Sequence, residues 1–132
     1  MKYLNRVRIY ANINECGKLI STTAKAEKVR FLDFLENLPD KSSRKISWVL
    51  RIVREVDQVP VQYLKKLTNT DDIWEIRATL GSDTYRLLCF FDGNALIIVT
   101  NGFSKKTNKV PPQEIKLAEE RKRDYLRRKN NA

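Results

Sequence analysis

The chain contains no histidine and only two cysteines, Cys16 and Cys89. Without histidine, Ser-His-Asp and Cys-His catalysis, histidine metal sites and the commonest general base are all removed together. Two thiols so far apart in sequence form neither a zinc-site pattern nor a disulfide framework, and a reducing compartment is expected. The four glycines, at 17, 81, 93 and 102, are isolated, so no glycine-rich loop is present to cradle a nucleotide phosphate. Apolar runs are short as well. None approaches the roughly 18 residues a membrane span needs, and residues 1–6 lack the apolar core of a signal peptide. The expectation is a cytoplasmic protein with no membrane partner, no metal and no small-molecule cofactor.

Positive charge is abundant: 26 Lys and Arg stand against 16 Asp and Glu, a formal net charge of +10. From Lys105 onwards ten cations face four acids. A surface this basic attracts polyanions by counterion release, although basic helices also serve as solvated faces or as docking surfaces for acidic proteins.

At 132 residues the chain has the size of one domain, taken as residues 1–132, and its 42 % hydrophobic content suffices for a modest core. Residues 6–13 alternate Val7, Ile9, Ala11 and Ile13, the period of a half-buried strand, whereas the small polar residues 17–25 read as a loop. Phe31, Phe34, Leu35 and Leu38 fall at amphipathic helix spacing closed by Pro39, and Asp40 is placed to cap a second helix with the stripe Ile46, Val49, Leu50 and Val53. The period then switches to two. Residues 73–80 and 84–91 flank Gly81-Ser82-Asp83 as a hairpin, and residues 95–103 follow a second turn at Asp92-Gly93-Asn94. Pro111-Pro112 heads a basic last helix, about 113–128, with Ile115, Ala118 and Tyr125 on its apolar side. The resulting order is β-α-α-β-β-β-α: an α+β fold with a mainly antiparallel four-stranded sheet and helices packed on one face.

Cations recur on or beside this sheet: Lys65 and Lys66 before the second strand, Arg77 within it, Arg86 in the third, Lys105 and Lys106 after the fourth. Such a cluster suits RNA cleavage. When a 2′-hydroxyl attacks its neighbouring phosphate, negative charge gathers on the phosphoryl and leaving oxygens, where guanidinium and ammonium groups stabilise it. A lysine crowded by other cations can shuttle protons, and a tyrosine such as Tyr85 can pack its ring and still offer its hydroxyl. Each residue also has a plain structural reading. Arg77 can pair with Glu75, Arg86 can be a solvated partner across the hairpin, and the lysines can be solvated loop residues. Trp74, Phe90, Phe91 and Cys89 lie in strongly apolar runs that favour the core over base stacking or nucleophilic chemistry.

Several of these segments, in order and at the same spacing, carry a resemblance: FLDFLENLP at 31–39, LKKL at 64–67, IWEIR at 73–77, Tyr85-Arg86, and NGFSKKTNKVPP at 101–112. Across residues 29–125 the chain resembles the phage-derived, HigB-like branch of the RelE toxin superfamily of type II toxin–antitoxin systems. The resemblance implies a ribosome-dependent endoribonuclease that cleaves mRNA in the ribosomal A site and is sequestered by a cognate helix-turn-helix antitoxin. It also implies site residues. Arg86 matches the catalytic arginine of the Tyr-Arg strand, Lys105 or Lys106 the basic position after the last strand, and Lys65 and Lys66 the basic segment before the hairpin. Glu75 and Arg77 match an E-x-R pattern, and Tyr85 stands beside the catalytic position. Asn101 stands where relatives often carry histidine; with Lys109 it completes the expected RNA contacts. On this reading Arg86→Ala slows cleavage by orders of magnitude and leaves the fold intact. The alternative is an RNA- or ribosome-binding protein that kept the scaffold without the acid and base.

Overall fold

The computed structural model describes residues 19–22, 25–93, 95–99, 103–105 and 110–130. These form β1 (Leu19–Thr22), α1 (Lys25–Glu36), α2 (Asp40–Glu55), β2 (Leu64–Lys66), β3 (Trp74–Leu80), β4 (Asp83–Asp92), β5 (Ala95–Ile98), β6 (Phe103–Lys105) and α3 (Pro112–Asn130). The strand expected at 6–13, and Cys16 with it, lies outside the described residues.

Both early helices follow the hydrophobic spacing. Phe31 and Leu35 of α1, and Ile46, Val49, Leu50 and Val53 of α2, are all buried. Asp40 is not the cap of α2. Pro39 occupies that position, with φ −53° and ψ 147° and no side-chain cap, and Asp40 is the first helical residue, where its charge meets the positive end of the helix dipole. Extended backbone at Val56 ends the helix.

The hairpin is the centre of the sheet. Leu80 pairs with Asp83 across a turn in which Gly81 has φ +63°, a value glycine adopts without the Cβ clash other residues meet. β3 occupies one edge of β4 over Asp83 to Cys89. On the other edge β5 pairs with residues 89–92 and β6 with residues 84–86. The single strand expected at 95–103 is thus two strands on successive stretches of the same β4 edge.

Three further points differ from the sequence reading. Within 17–25, taken as a loop, Leu19–Thr22 form β1, paired parallel to β5 through residues more than seventy positions away, a partner that local polarity does not reveal. Residues 64–66, taken as a basic approach to the hairpin, form β2, antiparallel to β3. The sheet therefore has six described strands rather than four, in the order β1-β5-β4-β3-β2 with β6 on β4, and is antiparallel except at β1–β5.

The helices also lie on both faces of the sheet. Ile76, Ala78, Tyr85, Leu87, Cys89, Leu96 and Ile98 join the core beneath α1 and α2. Ile73, Leu88, Phe90, Ile97 and Val99 join Ala118 of α3 in a separate cluster, with Ile115 and Tyr125 packed against it. Successive strand residues point to opposite faces, so the unbroken apolar runs of β4 and β5 need cover on both.

α3 is fastened at several points. Arg121 donates to the Val99 carbonyl at 2.6 Å, Lys122 to the Asp71 carbonyl at 2.6 Å, and Glu119 accepts from the Asp71 amide at 2.9 Å. Near its C-terminus the Tyr125 hydroxyl and the Lys129 ammonium both donate to the Asp92 carboxylate, at 2.9 Å and 2.8 Å. Hydrogen bonds from Lys129 and then Tyr125 hold the Asp92 carboxyl below its ordinary pKa, and burial with the bond to Asp92 raises the Tyr125 phenol. A depressed carboxylate contributes stability that is present above its unfolded pKa, about 3.9, and lost as pH falls through that value towards the folded one. A raised phenol contributes stability that is lost as pH rises above about 10. Amide protection in 121–130, taken relative to the intrinsic exchange rate at each pH, should therefore fall selectively below about pH 4 and above about pH 10. Asp92→Asn should produce the same loosening at neutral pH.

Candidate active site on the sheet face

Register decides which cations meet. Arg77 lies directly opposite Arg86, Glu75 opposite Leu88 on one side and Lys65 on the other, and Thr79 opposite Thr84. These residues share the sheet face on which α3 packs, where the strand period brings Glu75, Arg77 and Thr79 into one row. Lys66 pairs with Trp74 and so takes the opposite face, where its ammonium lies 2.9 Å from Asp72. Adjacent strand residues cannot both serve one site, and Lys65 alone of the two lies beside the arginines.

The centre of this face is a buried ion pair. Arg86 Nη1 donates to Glu75 Oε2 at 2.7 Å, with side-chain exposures of 3 % and 1 %. The alternative of a solvated Arg86 across the hairpin does not hold. Arg77 reaches the other carboxylate oxygen, its Nε 3.1 Å from Glu75 Oε1, an ion-pair contact whose N–H is not aimed for a hydrogen bond. The Arg77 side chain keeps 28 % exposure although its Nε is buried, so the exposed part belongs to its other atoms. One carboxylate thus sits between two guanidiniums, leaving the group with a net positive charge. Lys65 is exposed beside it, and the Thr79 and Thr84 hydroxyls lie 3.2 Å apart further along the face. This face can hold a phosphate with Arg77 and Lys65 while Arg86 and Glu75 form the base beneath. The threonine pair was missed from the sequence, yet it follows from counting register outward from Gly81.

Tyr85 does not join this group. Its side chain lies on the α1–α2 face, 5 % exposed, with its ring edge-on to Phe34 and its hydroxyl donating to Ser42 Oγ at 2.9 Å. The alternation that puts Arg86 on one face puts Tyr85 on the other, so the tyrosine is a core residue and not a proton-transfer group for the arginine face. Tyr85→Phe should lower stability by about 1–2 kcal/mol, by leaving buried Ser42 short of a partner, and should leave any activity of the arginine face unchanged; urea denaturation and rate measurement check the two halves.

Trp74 and Phe90 pack in the two cores, as their apolar runs indicated. The Cys89 thiol is fully buried, and burial, with the charge of Glu75 adding to it, pushes its pKa far above the ordinary thiol value, which leaves it un-ionised and unreactive. β6 sets Lys105 in register with Thr84, next to the Arg86 position, and its side chain is not described. Asn101, Lys106 and Lys109 lie outside the described residues. Among the described residues no group of three or more His, Cys, Asp or Glu is placed to hold a metal ion, and no helix is long and apolar enough to cross a membrane.

Comparison with curated proteins and with solved structures returns no match. A protein-family profile does match, over residues 33–123, and its description is phage derived protein Gp49-like (DUF891). The matched region runs from α1 to α3 and contains Lys65, Glu75, Arg77 and Arg86. The chain accordingly belongs to the phage-derived Gp49-like family, a RelE/HigB-like family associated with the toxins of toxin–antitoxin systems.

Proposed function

We propose that this protein is the toxin of a type II toxin–antitoxin pair and cleaves mRNA on the ribosome at the sheet face around Arg77. The observation that carries this reading is the partly exposed Arg77 side chain, whose Nε lies beside Glu75, with Lys65 exposed on the same face. A bound RNA strand lays its scissile phosphate against Arg77 and Lys65. The 2′-oxygen attacks phosphorus and loses its proton, the bond from phosphorus to the 5′-oxygen breaks, and that oxygen takes up a proton. The products are a 2′,3′-cyclic phosphate and a 5′-hydroxyl. Charge on the phosphoryl oxygens grows on the way to the transition state, so a fixed guanidinium binds the transition state more tightly than the ground state. Because the substrate supplies its own nucleophile, the reading calls on no metal. Ribosome dependence, the A site as the place of cutting, a helix-turn-helix antitoxin and cytoplasmic action rest on the family resemblance, as do the contributions of Lys105, Lys106, Asn101 and Lys109.

The test is a translating extract with purified protein, with message ends mapped by primer extension. Defined cleavages with 2′,3′-cyclic phosphate ends, appearing only while the message is translated, are expected; intact message in the presence of ribosome-bound protein overturns the reading. A second reading draws on one observation: Arg86, the arginine the resemblance assigns to catalysis, is buried in an ion pair with Glu75. A non-catalytic protein that binds RNA or ribosomes on this scaffold fits that burial. Translation arrest with intact transcripts would select it.

A further inference from the structure

We propose that the outward face of α2, with the segment 56–63 that follows it, is a docking surface for an acidic amphipathic segment of a protein partner. The inference is independent of the chemistry at Arg77, because α2 covers the opposite face of the sheet from that site.

Among the described residues the exposed large hydrophobic side chains are Trp48, Val56 and Val61, exposed by 43 %, 36 % and 66 %. All three fall between the middle of α2 and the start of β2. The Tyr63 ring stands edge-on to Trp48 with centroids 5.5 Å apart, which ties the returning segment to the helix. The core does not need Trp48: the buried stripe of α2 is made by Ile46, Val49, Leu50 and Val53, on the other side of the helix. An exposed tryptophan in the middle of a solvent face, with a tyrosine ring packed edge-on against it and two exposed valines in the segment that follows, is what protein interfaces use as an anchor.

Charge specifies the partner. At helical spacing around Trp48 stand Lys41, Arg44, Lys45 and Arg51, and the Lys45 ammonium lies 4.4 Å from the centre of the indole ring. Asp40 offsets Arg44 in an ion pair, Glu55 pairs with Arg54 and Asp57 lies beyond the helix end, so Lys41, Lys45 and Arg51 leave the surface around Trp48 net positive. The surface is therefore an apolar centre with a basic rim, complementary to a helix or strand that presents leucine-like residues along one line and carboxylates beside them. RNA uses the cations but has no use for exposed valines, and Lys45 already lies over the indole ring on which a base would stack.

The probe is a synthetic four-turn peptide with leucines on one helical face and glutamates elsewhere, compared with a peptide of the same composition and scattered leucines. Binding is read from the Trp48 emission, with Trp48→Phe identifying that signal against Trp74, and from peptide anisotropy. Expected results are tighter binding of the patterned peptide, an altered Trp48 emission, and at least roughly tenfold weaker binding to the Arg44→Glu/Arg51→Glu variant. Equal binding of the two peptides, or an unaffected charge-reversed variant, overturns the proposal. So does an RNA duplex that alters Trp48 and displaces the peptide, which assigns the surface to RNA, or a self-associated form that Trp48→Ala dissociates, which assigns it to a second copy. Message cleavage measured in the peptide-saturated sample reports on the Arg77 face separately, so failure here is distinguishable from failure of the proposed activity.

Discussion

Arg86→Ala should lower the stability of the domain by about 3–5 kcal/mol, a large part of the 5–15 kcal/mol typical of native domains. The reason is asymmetric. Removing the guanidinium deletes one attraction, but it also leaves the Glu75 carboxylate, 1 % exposed, without the 2.7 Å donor that compensated its transfer out of water. Melting should fall by on the order of 10–20 °C, measured by calorimetry or circular dichroism. The expectation from the cationic strand motif and the family order, that this substitution slows cleavage and leaves the fold intact, predicts instead an unchanged melting temperature. A loss of activity in Arg86→Ala does not separate catalysis from folding. The double replacement Glu75→Leu with Arg86→Met should be markedly more stable than either single replacement, because it removes both charges, whereas each single replacement breaks the 2.7 Å pair and keeps the other charge buried. If both single variants melt with the wild type, the pair contributes little and Arg86 returns as a candidate for direct phosphate contact.

Arg77→Ala should have the largest effect on activity, a fall of roughly 10²–10³ in cleavage rate, with thermal stability close to wild type. Arg77 is partly exposed and makes only one arm of a contact whose buried partner retains Arg86. Its removal therefore exposes no uncompensated charge. Arg77→Lys should recover little, because a lysine carries one compact charge and cannot both stay beside Glu75 and offer the two-pronged phosphate contact the proposed function asks of the guanidinium. Lys65→Ala, at the exposed edge strand, should weaken RNA binding and its salt dependence more than it slows the bound step. Unchanged cleavage in Arg77→Ala would remove the sheet face as the site of chemistry.

Much of the architecture is legible in local pattern. The alternation of Trp74, Ile76, Ala78 and Leu80, the glycine at 81, and the stripe Ile46, Val49, Leu50 and Val53 each name an element by its period. The runs Leu87 to Phe91 and Leu96 to Val99 each lack a charged or amide side chain, which implies cover on both faces of the sheet and hence a helix on the second face, where α3 packs. Strands β1 and β2 were missed because three or four residues leave too short a period to recognise, and their partners are distant in the chain.

The candidate site divides along the same line. That a chain with no histidine and +10 net charge offers arginine and lysine as its candidate phosphate-handling groups follows from composition. Which cations can work together does not, because Arg77 and Arg86 become neighbours only through the register of the hairpin, and Lys65 and Lys66 part company only once β2 pairs with β3. Burial then reverses the ranking of the two arginines: Glu75 reaches Arg86 diagonally across the strands and takes it into the interior, while Arg77 keeps its exposure. Residue type is a local property and survives in the sequence; desolvation and charge pairing depend on groups far apart in the chain, and only the folded structure brings them together.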